Sequence, residues 1–474
     1  MQDYLTKVRK NRKIVLWGMC TLLLFIYWLI FHPDKLCGDA ESYWIRSMEF
    51  VVDGNFSFSN FSSLLRGYVF PFLLFIQRGC GLLPQGVDAY LWAFTFSMIM
   101  GVLVVYQFPW FAKNLFGREM TGMKILVFEI LLCVFWQGNL LYPLSDFYAL
   151  FFMNFAVIFF YRLNRFHSEY SIAKNSLMAF LMGVCIYVTY SIRAMYVFFA
   201  ISCIFVFFFQ NLKKNRKKTV LISAITLAGC LFVSIPQVWI NVSMADTWSP
   251  LVLGVRDGEK INNKQLYWGL YYSRYETYVG NYDVYPHAGV IFEDEAGKAI
   301  IEKEGIEDLN PFQAVKLYFK YPFDILGIYG RHILNAMDNR FPELYITDLY
   351  QSRLGYMLGN YLIWFAFFAF WTIQKRANIK TFLKLLQRRW QYICLMVISS
   401  LVMLAGAIEI RFFIPVYCLV YMYVLIHFSK ESIQKCWDKY GLWLVVFAVV
   451  GFGLYVVFSG NTMSSIYDGR PILF

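Results

Sequence analysis

Acids and arginines stand out in this chain because few of its residues are polar. Asp39 and Glu41 lie in Cys37-Gly-Asp-Ala-Glu-Ser-Tyr-Trp44, just past the first apolar run. A carboxylate at a membrane surface can take the proton of an acceptor hydroxyl and activate it for attack. The bland alternative is a solvated loop acid. Asp146 follows Tyr142-Pro-Leu-Ser145 where a later apolar run begins. It is either a catalytic acid or an anion capping a helix N-terminus. Arg193 ends Thr189-Tyr-Ser-Ile-Arg, in a very short link between two apolar runs. A guanidinium there can grip a phosphate in bidentate fashion, or it can snorkel to the interface. Glu409 and Arg411 stand two residues apart in Ala407-Ile-Glu-Ile-Arg-Phe-Phe-Ile-Pro415. Charges that deep in apolar sequence are functional or paired with each other. Pro236 and Asn241 close another apolar run. Arg331, His332 and Arg340 lie in Tyr329–Arg340, at the end of a helical-looking piece, Phe312–Asn339, and positions 332, 335 and 339 share a face. That face either meets an anionic group or is solvated. Glu129 sits mid-run in Leu126-Val-Phe-Glu-Ile-Leu131, as a functional carboxylate or a protonated, hydrogen-bonded structural one.

The elements that must position these groups are membrane helices. The 474 residues are 59% hydrophobic, 20% aromatic and 16% charged, with mean hydropathy +0.49. A soluble globular chain carries about 25% charged residues, so this composition excludes that class. The net charge of +12 falls in short clusters between apolar runs, which is a topology signal and excludes nucleic acid as the partner. Spans are predicted at 14–31, 90–112, 122–140, 146–161, 176–191, 194–211, 219–240, 356–373, 391–408, 412–428 and 441–458, about eleven in all. The first reads as a retained signal anchor, since no small-residue cleavage site follows it. The apolar stretch Gly67–Leu83 is broken by Pro71, Arg78 and three glycines and reads as an interfacial helix.

With the N-terminus inside, that span count keeps the basic clusters inside. These are the five from Lys7 to Lys13, the run Lys213, Lys214, Arg216, Lys217 and Lys218, and the group Lys375, Arg376, Lys380, Lys384, Arg388 and Arg389. A twelfth span at 67–83 would put 213–218 outside, against the positive-inside rule. The domains are then a membrane module, 1–240, with its first outer loop at 32–88; a large outer loop, 241–354, of soluble composition; and C-terminal helices, 355–474. The large loop holds a turn-rich stretch, Asn281–Ala288, and an acidic patch at Glu293, Asp294 and Glu295. No P-loop is present and no GxGxxG follows a strand, which excludes a nucleotide-driven machine. The ten cysteines form no C-x-x-C pair, so no metal site is expected from spacing, and a Cys37–Cys80 disulfide is not expected.

This topology puts Asp39, Asp146, Arg193, Asn241, Glu409 and Arg411 at one membrane face, although it was fixed without reference to them. Acids and arginines together suit attack by a hydroxyl with a phosphate as leaving group. The order of motifs resembles the GT-C glycosyltransferases, specifically the superfamily of dolichyl-phosphate-mannose protein mannosyltransferases and aminoarabinose transferases. Asp39 with Tyr43 four residues later is similar to that family's first-loop acid. Arg66-Gly-Tyr-Val-Phe-Pro71 is similar to its proline-containing segment along the membrane, with one proline where two are common. Leu144-Ser-Asp146, Ser191-Ile-Arg193-Ala, Pro236 to Asn241 and Glu409 to Pro415 match later motifs in order. The resemblance covers most of 14–428.

The resemblance implies an all-α polytopic membrane protein of GT-C-like architecture, and inverting transfer of a sugar from a polyprenyl-phosphate donor. Asp39 is the implied base, with Glu41 and Asp146 as further candidate catalytic acids. Tyr43, Arg66, Arg193, Asn241, His332, Glu409 and Arg411 are candidates for donor phosphate or substrate binding. The first-loop acid is Asp39-Ala40-Glu41 where Asp-Glu is common. The absence of a C-terminal soluble domain argues against transfer of a large preassembled glycan. No cofactor is implied, and a divalent metal stays open. The expected partners are the lipid-linked sugar, membrane lipid and an extracytoplasmic acceptor, in a cell membrane. Competing readings are a polymerase or ligase of envelope glycans, and a transporter or flippase, which Glu129 favours.

Overall fold

The computed structural model describes residues 2–84, 86–166, 171–212, 215–256, 258–279, 288–347, 352–374, 389–462 and 472–473. Lys213, Lys214, Lys375, Arg376, Lys380, Lys384 and Arg388, and the turn-rich stretch 281–287, lie outside the described residues. Among the described residues nine helices are long and apolar enough to cross a membrane. The protein is a multi-pass helical membrane protein.

Two of the predicted runs are not single long helices among the described residues. The run 122–140 is a 14-residue helix, Gly122–Phe135, and a short one, Gln137–Leu141. The first is about 21 Å long, against about 30 Å of hydrocarbon. Trp136 leaves helical geometry between them, and the Gly138 N–H donates to Pro342 O at 2.8 Å. The backbone at this break thus finds a partner outside the helix. The run 391–408 is helical only to Ala405, after which Gly406 is extended. Hydropathy sees the apolar side chains in both runs but not the backbone turning away. After the first span, the helix Val69–Gln77 has nine residues, about 14 Å, which is too short to cross.

The chain folds as two compact units. One comprises Met1–Gln107, Tyr142–Ile261 and Trp390–Ser399; the other Phe108–Leu141, Asn262–Arg389 and Ser400–Phe474. In the first unit the helices Ile172–Ile192 and Arg216–Ala245 pack backbone to backbone. A Cβ on Gly183 would strike the Thr226 carbonyl, and one on Gly229 the Phe180 carbonyl. Small residues are what allow membrane helices so close an approach. The segment between the first two spans builds its own aromatic core. Phe50 stacks on Phe61 at 5.4 Å and meets Phe72 edge-on at 5.5 Å. A two-residue hairpin turn, Asp53-Gly54, joins Val51–Val52 to Asn55–Phe56, both turn residues having positive φ.

The second unit is not purely helical. Its loop region carries a four-stranded sheet in the order Tyr345–Ile346, Tyr272–Tyr278, Ala288–Glu293, Ile472–Leu473. The helical-looking piece Phe312–Asn339 is two helices, Pro311–Lys320 and Pro322–Ala336. Proline disfavours helical geometry in the residue before it, so the break falls at Tyr321.

Gly183→Ala is expected to destabilise the protein by about 1–3 kcal/mol, since the added methyl meets backbone that cannot give way. Gly122→Ala, with nothing within 4 Å, should be neutral or mildly stabilising. Thermal unfolding midpoints in detergent compare the two, and an equal effect would refute the close-approach account.

Candidate active site

In the first unit, helix Gly38–Arg46 begins immediately after Cys37, with Asp39 and Glu41 in its first turn, where the helix dipole favours anions. Four residues separate Asp39 from Tyr43, so both side chains share a helix face. Arg66 bridges them. Its Nη2 binds Asp39 Oδ1, its Nη1 donates to Tyr43 Oη at 2.6 Å, and the guanidinium lies 4.5 Å from the Tyr43 ring centre. The Asp39 and Arg66 side chains are 26% and 24% exposed. The other end of the helix is fixed by Arg78. It donates to Trp44 O at 2.6 Å and Ser47 Oγ at 2.8 Å, while its Nη2 and Nε hold Asp88 at 2.6 and 2.8 Å. Burial lowers the Arg78 pKa, opposed by Asp88.

Asp146 opens helix Asp146–Phe166 and forms an ion pair with Arg193, which terminates helix Ile172–Ile192. The Asp146 side chain is 2% exposed and that of Arg193 12%. Three contacts tie this pair to the Asp39 group. Cys37, two residues before Asp39, hydrogen-bonds Tyr142, four before Asp146. The Tyr43 ring meets Phe70 edge-on at 4.7 Å, and Phe70 meets Tyr148 at 5.1 Å. Gly67, next to Arg66, packs so closely on Ser191, two residues before Arg193, that a Cβ would strike the Ser191 carbonyl. Two acids and two arginines are thereby drawn into one neighbourhood. Burial pushes the Cys37 thiol up to about 12, with Glu41 adding to the shift, so it stays protonated. Cys37 and Cys80 are both free.

Asn241 is fully buried and its amide is occupied by structure. It donates to Ser249 O at 2.8 Å and Leu251 O at 2.7 Å, and accepts from Gln237 Nε2 at 3.0 Å. It holds the turn after helix Arg216–Ala245, and Gln237 also accepts from the Tyr68 N–H at 3.4 Å.

The remaining candidates belong to the second unit. Arg411 Nε donates to Glu409 Oε2 at 2.6 Å, with side chains 13% and 17% exposed. His332 is fully buried, its ring nitrogens 2.7 Å from Leu404 O and 2.9 Å from Tyr272 O. The neighbouring face is buried, not solvated: Asn335 donates to Ser273 O and Asn339 to Phe135 O, each at 2.7 Å. Arg331 pairs with Asp294 at 2.6 and 2.8 Å. Glu129 is buried within Gly122–Phe135.

This unit also holds a charged network of which the sequence flagged only Arg340. Arg274 and Glu276, two apart on strand Tyr272–Tyr278, point to one face and bond at 2.5 Å. Arg274 also donates to Asp338 O at 2.8 Å. Asp338 accepts from Arg340 Nε at 2.8 Å and Tyr455 Oη at 2.7 Å. Burial would raise the Asp338 pKa, but Arg340 and Arg274 overrule it and hold it below the ordinary carboxylate range. Burial keeps Glu276 above its ordinary value despite Arg274. The only hint in the sequence is alternation, Arg274-Tyr-Glu276 and Asp338-Asn-Arg340. Among the described residues no three His, Cys, Asp or Glu side chains gather as metal ligands.

No family model matches the chain, and no curated protein matches it. Among solved structures it is similar to the archaeal oligosaccharyltransferase AglB from Archaeoglobus fulgidus, in complex with an inhibitory peptide and a dolichol-phosphate. The identity is 11% and the TM-score 0.45, over 96% of this chain and 55% of that one. This chain thus spans little more than half the length of that structure, and a likeness at this level assigns neither family nor activity.

Two stability outcomes follow from the geometry. Asp88→Asn strands the buried Arg78 charge and should cost about 3–5 kcal/mol. Asp39→Asn breaks a pair that is a quarter exposed and should cost no more than about 1 kcal/mol. Unfolding midpoints of the two variants should separate clearly, and equal losses would contradict the assignment of Arg78–Asp88 as the structural pair. Burial holds His332 below its ordinary 6.5. The unfolded chain therefore binds the proton more readily, so this contribution to stability is full above pH about 6.5 and is lost as pH falls towards the folded value. The slope of midpoint against pH between about 5 and 7 should flatten in His332→Gln; an unchanged slope would rule His332 out as its source.

Proposed function

We propose that the protein is a membrane glycosyltransferase, taking a sugar from a polyprenyl-phosphate donor and passing it, with inversion, to an acceptor hydroxyl at the extracytoplasmic face. The observation that carries this reading is the joining of the Asp39–Arg66–Tyr43 group to the Asp146–Arg193 pair through Cys37–Tyr142, Tyr43–Phe70–Tyr148 and Gly67–Ser191. The order of motifs along the chain supports it independently, and the apolar helices offer the solvent that a polyprenyl tail requires.

In this mechanism Asp39 takes the proton of the acceptor hydroxyl as its oxygen attacks the anomeric carbon. The bond from that carbon to the lipid-phosphate oxygen breaks, and the phosphate leaves with the electron pair. Arg66 and Arg193 already hold carboxylates, and a phosphate offers the same bidentate geometry with more charge. Donor binding would draw these guanidiniums towards the phosphate, releasing Asp39 to act as base and stabilising the leaving group. Asp146, almost fully enclosed, orients Arg193. Tyr43 sets the plane of the Arg66 guanidinium. The site lies on the extracytoplasmic side, with the N-terminus cytoplasmic by the positive-inside rule.

Purified protein incubated with a panel of polyprenyl-phosphate sugars should release the lipid phosphate with one donor class. Asp39→Asn should lower that turnover by about 10²–10⁴-fold. Arg193→Lys, which keeps the charge but loses the fork, should also slow it. Full transfer by Asp39→Asn with the correct donor would end the assignment of the base.

A further inference from the structure

The loop helices of the second unit carry an apolar surface that their own core does not use. Helix Pro311–Lys320 buries Ala314 and Leu317, and helix Pro322–Ala336 buries Ile325 and Ile328, all in one cluster. Their outward faces should therefore be polar, but they are apolar. Phe312, Val315 and Phe319 recur at helical spacing and are 69%, 49% and 83% exposed. Across the Tyr321 bend, Phe323 is 86% and Leu326 70% exposed. Lys316 flanks this face with its ammonium 4.7 Å from the Phe312 ring centre.

The stripe on the second helix runs on to Ile333 and Leu334, both exposed, at its C-terminal end. That end is bonded to membrane spans. Asn360, in span Leu354–Ile373, donates to Met337 O at 2.5 Å, and Tyr455, in span Leu442–Ser459, donates to Asp338 at 2.7 Å. The apolar stripe is thus continuous with a point held against two lipid-spanning helices. Asp324 and Arg331 fall about 100° or more from the stripe centre, by the 3.6-residue period.

The geometry points to a membrane-surface anchor: the paired helices Pro311–Lys320 and Pro322–Ala336 lie on the bilayer, with Phe312, Phe319, Phe323 and Leu326 in the acyl boundary and Lys316 among the headgroups. An apolar face edged by lysine is the pattern of an interfacial amphipathic helix. The occupant is lipid because the stripe ends where two spans hold the chain. This inference is independent of the reaction proposed above.

The test places a photocrosslinking benzoylphenylalanine at position 319, 323 or 307 of the full chain, in nanodiscs of phosphatidylethanolamine and phosphatidylglycerol. Position 307, an exposed glutamate off the stripe, is the control. After irradiation, mass spectrometry of the loop peptides should find lipid-mass adducts at 319 and 323 several-fold above 307. Adducts to a second copy of the chain, or lipid adducts no more frequent than at 307, would overturn the anchor.

Discussion

Arg66 depends on a position that its own short segment could not hold. Its two acceptors, Asp39 and Tyr43, are one helical turn apart, so it must approach that face from the side and at the right depth. The depth is set by Gly67, which has no side chain to keep it from the Ser191 carbonyl. The face is set by Arg78 and Asp88, which tie the far end of helix Gly38–Arg46 to the helix beginning at Val87. The Phe50 aromatic core joins the two ends of the loop between them. Each of these contacts lies away from Asp39, yet a shift in any one would separate the carboxylate from its guanidinium.

The second unit meets the same constraint differently. Charges in an apolar fold must be paired, and pairs must be fully bonded, because a stranded buried charge costs several kcal/mol. Arg274, Glu276, Asp338 and Arg340 balance to zero, with Tyr455 and Ser459 supplying further donors to Asp338. The network joins strand Tyr272–Tyr278, the turn after helix Pro322–Ala336 and the last described span. Its side chains are almost wholly enclosed, Arg274 at 1%, Glu276 at 6% and Asp338 at 0%. It behaves as a structural rivet.

Most of the spans were legible because hydropathy over some twenty residues is a one-dimensional signal. The short Val69–Gln77 helix was legible too, since Pro71, Arg78 and the glycines interrupt it. The breaks at Trp136 and Gly406 were not, because the groups that take up the backbone just beyond them, Pro342 O for Gly138 and the Tyr275 N–H for Ile408 O, lie far off in sequence. Asp39, Tyr43, Asp146 and Arg193 could be picked out as polar outliers in apolar surroundings. That Arg66 and Arg193 would be the partners of the acids was not readable, since pairing needs the fold. The same limit hid Arg274 and Asp338, which sit in ordinary polar sequence. Asn241 and His332 stood out for the same reason as the acids, but their polar atoms turn out to bond backbone and a neighbouring amide.

Exposure now orders the ion pairs by what each can do. Arg78–Asp88 has both side chains 10% exposed and is bonded to backbone on one side, so exchanging partners would strand a buried charge. Arg274–Glu276 is more enclosed still. Asp39–Arg66, at 26% and 24%, is the pair open enough for a ligand to displace one partner while water or substrate takes up the other. Asp146–Arg193 is asymmetric: the acid is sealed and the arginine partly open, so any ligand meets the guanidinium and not the carboxylate. Asp146 is thereby better suited to aim Arg193 than to exchange protons. In the proposed reaction the base comes from the open pair and Arg193 of the second pair adds a phosphate contact beside the freed Arg66, so that groups from two pairs serve attack and departure on opposite faces of the anomeric carbon.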